Sequence, residues 1–458
     1  MRNISMRLHL LFTSNIFLAI LAHFQISKSG VFTHSISNVY PAEFVKVSGT
    51  EFLQNNKTWK PVGFNTYLLI EQAAELPHGS FHAIYSDSFG KNEILKQFEQ
   101  AILLNFTCVR TWLYSINSNY PLFLEDGVYD ERLLGALDWI IAVARAHGLK
   151  LILSFTDFWP ESGGISSLIL LSRKFLDLSP DHSEQYGRSS FFTDQNYFSL
   201  YIRHVEHILL RKSKITGTRY CDESTVMAWE LMVSLLLTTF KFLHLFIQNE
   251  PRCRLCSEGI LQKWIWNAAR AVKSLDKRHL LTVGEEGFYA STKNYVNPAK
   301  WASDTGQNFI SDHIFTEIDY ASSHLWTDNW NLFSAWSRKH VKNDSFNFSK
   351  TWIEEHSSDS LNILQKPFVL SEYGSTGFGN RNNIIGSLVT TEDQRQTKVS
   401  RFYSEVHTAL LQNRNGALFW IWHNENLKYL PSYQDEYGIF VSDNVFDRLR
   451  NYSQVLRS

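Results

Sequence analysis

Short apolar segments recur along the chain and alternate with longer amphipathic stretches. Eight of the apolar segments have strand length and are bounded by turn residues, which predicts buried strands. They cover residues 61–67, 107–113, 150–155, 225–232, 279–286, 318–324, 366–374 and 415–422. Apolar residues recur at helical spacing between them, most clearly over 94–104, 133–147, 197–212 and 261–275. Strands that alternate with helices in this way predict an α/β fold, a single (β/α)8 TIM barrel.

Polar residues follow two of the predicted strands where catalytic groups of a barrel are expected. The segment 366–374 ends with Glu372, and Asn249 and Glu250 come 16 residues after the strand 225–232. Barrel enzymes build their active sites at the carboxyl ends of the strands. The two acids, 122 positions apart, are therefore the candidate catalytic pair.

The N-terminus has the pattern of a secretory signal, and we expect a signal peptide over residues 1–29 and a catalytic domain over 30–458. Arg2 and Arg7 precede an apolar stretch, 8–24, and small residues follow it. An uncleaved signal anchor is the alternative. Export agrees with N-x-S/T sequons after the signal, at Asn56, Asn105, Asn343, Asn347 and Asn451. The expected location is extracellular, with no membrane association after cleavage.

The composition of the chain limits the kinds of partner and cofactor that we expect. The 458 residues carry a net charge of −1, which gives no reason to expect a nucleic-acid or anionic-membrane partner. Aromatic residues make up 14% of the chain, with 14 Trp, which suits both a packed core and the stacking of sugar rings. No Gly-rich phosphate loop or metal-ligand spacing is present, so neither a metal nor another cofactor is expected.

The four cysteines are Cys108, Cys221, Cys253 and Cys256. In an exported chain they allow three disulfide connectivities, which the sequence does not distinguish. Cys253 and Cys256 form a C-x-x-C pair that could serve redox chemistry or a metal. Because no second pair and no histidine at zinc spacing accompany it, a structural role is the favoured interpretation.

Several motifs, taken in order, resemble the plant-type endo-β-1,4-mannanases of glycoside hydrolase family 5. The likeness extends over about residues 44–447, and the motifs that carry it lie at 62–67, 110–112, 228–232 with 249–253, 284–289, 366–374, 418–420 and 435–439. The resemblance implies a retaining endo-hydrolase of β-mannan, glucomannan or galactomannan. It also implies a polysaccharide as the only partner, and we expect a monomer.

The resemblance also implies roles for individual residues. Glu250 corresponds to the general acid/base and Glu372 to the nucleophile, a pair that a retaining glycosidase holds roughly 5 Å apart. Arg110 corresponds to the arginine beside the nucleophile, where a cation favours the ionised carboxylate. Asn249 would bind the sugar 2-hydroxyl. His324 would line the subsite of the cleaved sugar, and Trp420 would lie beneath its ring.

One residue and two short segments depart from the family pattern. Family members usually have a tyrosine where this chain has Trp326, which lines the same subsite but offers only an indole N–H as a donor. Asp157-Phe158-Trp159 replaces the usual Asn-Asn-Trp, and Leu113-Tyr114-Ser115 replaces the usual Ala-Phe-Asn. A family 5 enzyme that acts on another β-glycan is therefore an alternative function.

The largest departure is an atypical insertion at 233–248, between Met232 and Asn249. Its removal restores the family motif without any other adjustment. It begins with Val, whose codons start with GT, and ends with Gln, which CAG encodes, so a retained intron or an error in the gene model is one hypothesis. A tolerated loop is the other. Because catalysis requires an acid placed to a fraction of an ångström, a barrel that binds mannan but is impaired in cleaving it is a further alternative.

Overall fold

A computed structural model describes residues 43–76, 89–115, 119–157, 184–232, 252–253, 256–330, 344–377, 392–423, 425 and 437–458. The predicted signal peptide, the insertion 233–248 and both Asn249 and Glu250 lie outside these residues. The sequon Asn343 lies outside them as well.

Thirteen strands occur in the described part of the chain. In order they are β1 (Lys46–Ser48), β2 (Glu51–Gln54), β3 (Lys57–Trp59), β4 (Val62–Asn65), β5 (Cys108–Trp112), β6 (Phe123–Glu125), β7 (Val128–Tyr129), β8 (Lys150–Ser154), β9 (Val226–Glu230), β10 (Leu280–Thr282), β11 (Ala321–Leu325), β12 (Phe368–Tyr373) and β13 (Gly416–Phe419).

Eight of these strands form one parallel sheet in the order β10-β9-β8-β5-β4-β13-β12-β11. The two end strands meet, because Asp319 N–H donates to the carbonyl of Leu281 at 2.8 Å and His324 N–H donates to that of Glu286 at 3.0 Å. The sheet is thus nearly closed into a barrel. Each of the eight predicted strand segments overlaps one of these strands, and the predicted (β/α)8 barrel is confirmed.

Helices surround the barrel. They span Leu69–Ala73, Phe89–Leu103, Glu131–His147, Glu184–Thr193, Gln195–Leu210, Ile260–Leu275, Phe309–His313, Asp344–Asp359, Glu392–Gln412 and Val445–Arg457. Short 3₁₀ turns occur at Tyr220–Asp222, Ser291–Lys293 and Lys300–Thr305, and a π turn at Ser360–Leu364. Among the described helices, none combines the length and the apolar character needed to cross a bilayer.

The local sequence explains the boundaries of the helix Glu131–His147. The Asp130 carboxylate caps its start by accepting the backbone N–H of Arg132 at 2.8 Å. Gly148 ends it in a left-handed conformation, with φ of 69°, which glycine adopts without steric cost. The helix therefore ends at the residue that its sequence predicted.

A small antiparallel sheet, β1–β3, lies at the amino-terminal end of the barrel. Phe52 of this sheet packs edge to face against Tyr320, with ring centroids 5.4 Å apart. Phe52 and Val45 belong to the same apolar cluster as Ile152, Met227 and other residues of the barrel strands. This end of the barrel is filled by side chains, so the opposite, carboxyl-terminal end is where a cleft can form.

Several histidines are buried in an uncharged state among the helices and strands. His204 lies between the Tyr129 hydroxyl and the Phe155 carbonyl, each at 3.2 Å, and burial lowers its pKa to about 4. Burial also lowers the pKa of His407 to about 3; its Nε2 is 2.9 Å from the Tyr373 hydroxyl. Both groups favour the folded state only while they are neutral.

We therefore expect the protein to lose stability as the pH falls below about 6.5, the ordinary pKa of histidine. The unfolded chain takes up protons between pH 6.5 and these lowered values, while the folded chain does not. For His407 alone the loss between pH 6.5 and 5 is about 2 kcal/mol. In the variant His407→Phe the fall in unfolding free energy from pH 7.5 to 5 should be smaller by that amount, as measured by denaturant titration; equal falls would contradict a neutral His407.

Candidate active site

Arg110 lies at the centre of a buried charged cluster at the carboxyl end of the barrel. Its position on β5 points the guanidinium at two carboxylates from different strands. Nε and Nη2 donate to the Glu230 oxygens at 2.9 and 2.6 Å, and Nη1 donates to Glu372 Oε1 at 2.5 Å. Burial alone would lower the pKa of Arg110, but the charges of Glu230 and Glu372 outweigh it and raise the pKa above the ordinary value. The arginine is therefore a permanent cation shared by two acids.

Asn65, at the end of β4, fixes the remaining side of the guanidinium. Its Oδ1 accepts from Arg110 Nη1 at 2.8 Å, while its Nδ2 donates to the carbonyls of Ser371 and Leu418 at 2.8 and 2.9 Å. These bonds determine which amide atom faces the arginine. Asn65 thus links the arginine to the strands β12 and β13 that carry the rest of the site.

Glu372 occupies the end of β12 and faces both a cation and an imidazole. Its side chain is 2% exposed, and Oε2 is 3.4 Å from Nδ1 of His324 on the neighbouring strand β11. Parallel strands that end at the same edge bring the three residues together. Of the predicted site residues, the structure thus joins Arg110, Glu372 and His324.

Glu230 was not among the predicted site residues. It closes β9 and is fully buried, with both oxygens bound to Arg110. The available signal was a carboxylate within an apolar strand segment, 225–232, because buried charges occur only where they are paired. Asn65 was missed in the same way, as a polar residue within the segment 61–67.

Gly284 makes room for the Glu230 side chain. A Cβ atom at Gly284 would lie 2.5 Å from Cγ and Cδ of Glu230 and still closer to the Met232 carbonyl, and its φ is +89°. Only glycine meets both conditions. The positive φ of Gly284 turns the chain away from its pairing with β9. The strand β10 is therefore shorter than the predicted 279–286.

We expect Gly284→Ala to lower the unfolding free energy by at least about 2 kcal/mol, through backbone strain and displacement of Glu230. Denaturant titration measures this loss, and catalysis should decline with it. Gly217→Ala is the matched control, because Gly217 also has a positive φ, +70°, but no heavy atom within 4 Å of the added Cβ. Equal losses in the two variants would contradict a specific role for the space beside Glu230.

Aromatic rings extend the site beside the charged cluster. Trp420, which follows β13, lies 5.6 Å from Trp112, 5.8 Å from Tyr67 and 5.7 Å from Trp326, centroid to centroid. The Arg110 guanidinium lies 5.2 Å from the centre of the Trp112 ring. The predicted substrate-binding residues Trp326 and Trp420 are therefore in contact with each other. Both are buried, at 3% and 0% exposed.

Two of the positions that depart from the family pattern lie side by side. Tyr114 follows β5 and Asp157 follows β8, and both are buried. Burial raises the pKa of the Tyr114 hydroxyl, and the adjacent charge of Asp157 raises it further. Tyr114 consequently stays a neutral hydroxyl beside a carboxylate, where the family pattern has a phenylalanine and an asparagine.

The described residues on either side of the insertion contact the same neighbouring segment, 282–286. Leu231 and Met232 N–H donate to the carbonyls of Thr282 and Val283 at 3.1 and 3.2 Å. Where the described chain resumes, the Arg252 guanidinium donates to the Glu286 carboxylate. The residues contacted on the neighbouring segment thus move only from Val283 to Glu286, although the contacting residues move from 232 to 252 in the sequence.

The structure resolves the cysteine pairing among the described residues. Cys253 and Cys256 form a disulfide. Cys108 and Cys221 are free and buried. Within the described ranges, no group of three or more His, Cys, Asp or Glu side chains is arranged to hold a metal ion.

A (β/α)8 barrel with a buried arginine and two carboxyl side chains at its carboxyl-terminal mouth has the architecture of the barrel enzymes, and the fold and site assign the chain to that class. Comparison with known proteins narrows the class. Residues 42–427 match the sequence model of the family described as "GH family 5 beta-mannosidase-like". The chain belongs to this family, the β-mannosidase-like members of glycoside hydrolase family 5.

Named relatives occur in plants. The chain is 30% identical over 416 residues to mannan endo-1,4-beta-mannosidase 5 of Solanum lycopersicum, covering 89% of this chain and 87% of the relative. It is 30% identical over 408 residues to mannan endo-1,4-beta-mannosidase 5 of Arabidopsis thaliana, covering 86% and 82%.

Solved structures agree in fold. The endo-1,4-beta-mannanase from Rhizomucor miehei superimposes with a TM-score of 0.66 at 22% identity, over 91% of this chain and 99% of that one. The endo-beta-1,4-mannanase from Thermotoga petrophila gives 0.66 at 21% identity, over 88% and 78%. At these identities the likeness shows the barrel fold.

Proposed function

We propose that this protein is a secreted endo-β-1,4-mannanase that cleaves the backbone of mannan, glucomannan or galactomannan with retention of anomeric configuration. The observation that carries the proposal is the Arg110–Glu372–His324 cluster at the mouth of the barrel. The plant relatives named as mannan endo-1,4-beta-mannosidases support the substrate class.

In the proposed mechanism, Glu372 is the nucleophile. Arg110 stabilises its ionised form, and the carboxylate attacks the anomeric carbon to form a glycosyl-enzyme. Glu250 protonates the departing oxygen and then, as a base, activates the water that releases the sugar. Glu250 gives up a proton in the first step and recovers one from water in the second, and water is the only other reactant.

The substrate-binding roles are part of the proposal. Asn249 binds the sugar 2-hydroxyl, His324 and Trp326 line the subsite of the cleaved sugar, and Trp420 supports the ring. The contact between the Trp326 and Trp420 rings supports a shared subsite. Both indoles are nearly covered, so we expect Trp420 to support the sugar along the edge of its ring.

Secretion rests on the N-terminal pattern of residues 1–29, and a cell-wall location follows from the proposed substrate. Some sequons suit glycosylation better than others. Asn56 is exposed in the turn between β2 and β3, whereas the Asn105 side chain accepts a hydrogen bond from Arg457 at 2.5 Å. We expect modification at Asn56 rather than at Asn105.

Proton NMR of the products tests the proposal. The recombinant chain, incubated with mannohexaose, should first release β-configured reducing ends that later mutarotate. Parallel digests of xylan, cellulose and mixed-linkage β-glucan should release at least about tenfold fewer reducing ends than mannans. Preferential cleavage of another glycan would overturn the substrate, and initial α product would overturn the retaining mechanism.

The insertion 233–248 favours a second candidate function, a barrel that binds mannan without cleaving it. Sequencing cDNA across the junction shows whether the segment persists in the mature message; a spliced message as the sole product would identify a retained intron or gene-model error. Binding to mannohexaose by calorimetry, with no product after prolonged incubation, would favour the binding protein over the enzyme.

A further inference from the structure

Asp328 joins the two segments that follow β11 and β12 at the mouth of the barrel. It comes four positions after His324 and is 6% exposed. Its Oδ2 accepts the Thr376 backbone N–H at 2.7 Å, the Thr376 hydroxyl at 3.0 Å and the Ser375 hydroxyl at 3.1 Å. Ser375 and Thr376 come three and four positions after Glu372. Because a buried acceptor is costly to separate from its donors, Asp328 holds the two segments together.

The backbone that follows Glu372 packs directly against the Trp326 ring. A Cβ atom at Gly374 would lie 2.7 Å from the Trp420 carbonyl oxygen, 3.3 Å from the Tyr437 ring and 3.5 Å from the Trp326 ring. The chain two positions after Glu372 is therefore in close contact with the Trp326 side chain. At the packing density of a protein interior, neither can be displaced without moving the other.

Trp326 begins the turn that carries Asp328. The Trp326 carbonyl accepts the backbone N–H groups of Asn329 and Trp330 at 3.1 and 3.0 Å. Its ring meets the Tyr437 ring edge to face, with centroids 4.9 Å apart, and the Tyr437 hydroxyl donates to Asn329 Oδ1 at 2.7 Å. The ring and the turn contact the same tyrosine, so we expect Asp328 and Trp326 to move as one unit.

The pairing of β11 with β12 is irregular beside Glu372. Ser323 of β11 pairs with Leu370 of β12. The next residue, His324, pairs with Glu372, which skips one position of β12. Such an irregularity disrupts the ladder locally. His324 Nδ1 and Glu372 Oε2 lie 3.4 Å apart at this point, so contacts beyond the ladder contribute to fixing their separation, and Asp328 supplies them.

We infer that Asp328 is a positioning residue, which fixes Trp326 and His324 relative to the nucleophile Glu372 by joining the segments that follow β11 and β12. The inference rests on the proposed function and assigns a role to a residue outside it. Asp328 acts through its neighbours rather than on the sugar. Its loss should slow the reaction of bound substrate, which is sensitive to displacements of about 1 Å, more than it weakens binding.

The rate at which Glu372 is labelled reports the geometry of the nucleophile. A 2-deoxy-2-fluoro mannobiosyl fluoride carries a good leaving group, so adduct formation does not depend on a general acid. For Asp328→Ala in the full chain, we expect the maximal labelling rate, measured by mass spectrometry, to fall roughly 30- to 100-fold, because a displacement approaching 1 Å costs about that much. The reagent concentration at half-maximal rate should change less than about threefold, as expected when binding is retained.

Two further variants separate positioning from a loss of folding. Asp328→Asn keeps the shape of the side chain and an oxygen that can accept the Thr376 N–H, so it should recover part of the lost rate. The double variant Ser375→Ala/Thr376→Val leaves Asp328 in place and removes two of its three donors, and it should slow labelling in the same direction. If Asp328→Ala does not fold, the double variant decides.

Asp138→Ala is the matched control. Asp138, in the outer helix Glu131–His147, is also buried, and it accepts the Tyr220 hydroxyl at 2.7 Å and the Lys214 backbone N–H at 3.1 Å. It also pairs with Arg211 at 2.7 Å. The variant loses buried hydrogen bonds outside the site, so it should unfold at lower denaturant concentration but be labelled within about twofold of the unaltered rate.

The role of Asp328 would be overturned if Asp328→Ala and the double variant were labelled at the unaltered rate. Equal slowing in Asp138→Ala would also overturn it, because a general loss of structure would then explain the effect. A higher half-maximal concentration with an unchanged maximal rate would indicate a loss of binding and overturn it as well. Failure of the proposed function gives a different result: the unaltered chain forms no adduct on Glu372 and releases no product from mannohexaose, and the positioning role is overturned with it.

Discussion

Glu372→Gln should abolish mannan cleavage, with kcat on mannohexaose reduced roughly 10⁴-fold or more, as is usual when a covalent nucleophile is removed. The amide keeps the size of the side chain and an oxygen that can accept from Arg110. Because it does not attack the anomeric carbon, no glycosyl-enzyme forms. Steady-state hydrolysis of mannohexaose measures the loss.

A second readout identifies the attacked residue directly. A 2-deoxy-2-fluoro mannobiosyl fluoride should trap a covalent adduct on the peptide that contains Glu372, as seen by mass spectrometry, and Glu372→Gln should not be labelled. Glu405→Gln is a control, since Glu405 lies on the helix Glu392–Gln412 and pairs with Arg401 at 2.6 Å. An adduct on another residue would contradict the assignment.

Arg110→Met should have the largest effect on stability, lowering the unfolding free energy by about 3–5 kcal/mol at neutral pH. The substitution leaves Glu230 and Glu372 buried beside each other without a cation. The loss should shrink as the pH falls, because protonation of either carboxyl removes the uncompensated negative charge. Denaturant titrations at pH 8 and pH 5 measure both effects.

The double variant Arg110→Met/Glu230→Gln isolates the cause. Removal of one uncompensated charge should recover part of the stability at pH 8, while activity stays low because Glu372 has lost its cation. If the single variant is as stable as the unaltered protein at pH 8, the buried cluster does not carry the charges assigned to it.

Much of the fold could be predicted from the chain because each barrel strand is a local apolar pattern. The strand boundaries were less predictable, since they depend on contacts between strands. The segment 279–286 shows this: only Leu280–Thr282 pairs as a strand, because Gly284 turns the chain away to make room for a residue of β9.

The candidate site was predictable only where a motif marked it. Arg110 and Glu372 stand in motifs of the family resemblance, and His324 ends the predicted strand 318–324; the structure brings the three together. Glu230 and Asn65 bind the same arginine, but they pair with it across 120 and 45 positions of sequence. Such partners follow from the tertiary fold, which places the ends of β4, β5, β9 and β12 at one mouth.

The most direct test of the account is the release of reducing ends from glucomannan by two recombinant proteins, the full mature chain and a variant that lacks 233–248. We expect both to be active, because the Arg110–Glu372–His324 cluster is unchanged in both. Both should also lose activity on Glu372→Gln substitution. A well-folded deletion variant with no activity on any mannan would contradict the proposed function, and activity confined to the deletion variant would show that the full chain is the impaired barrel of the second candidate function.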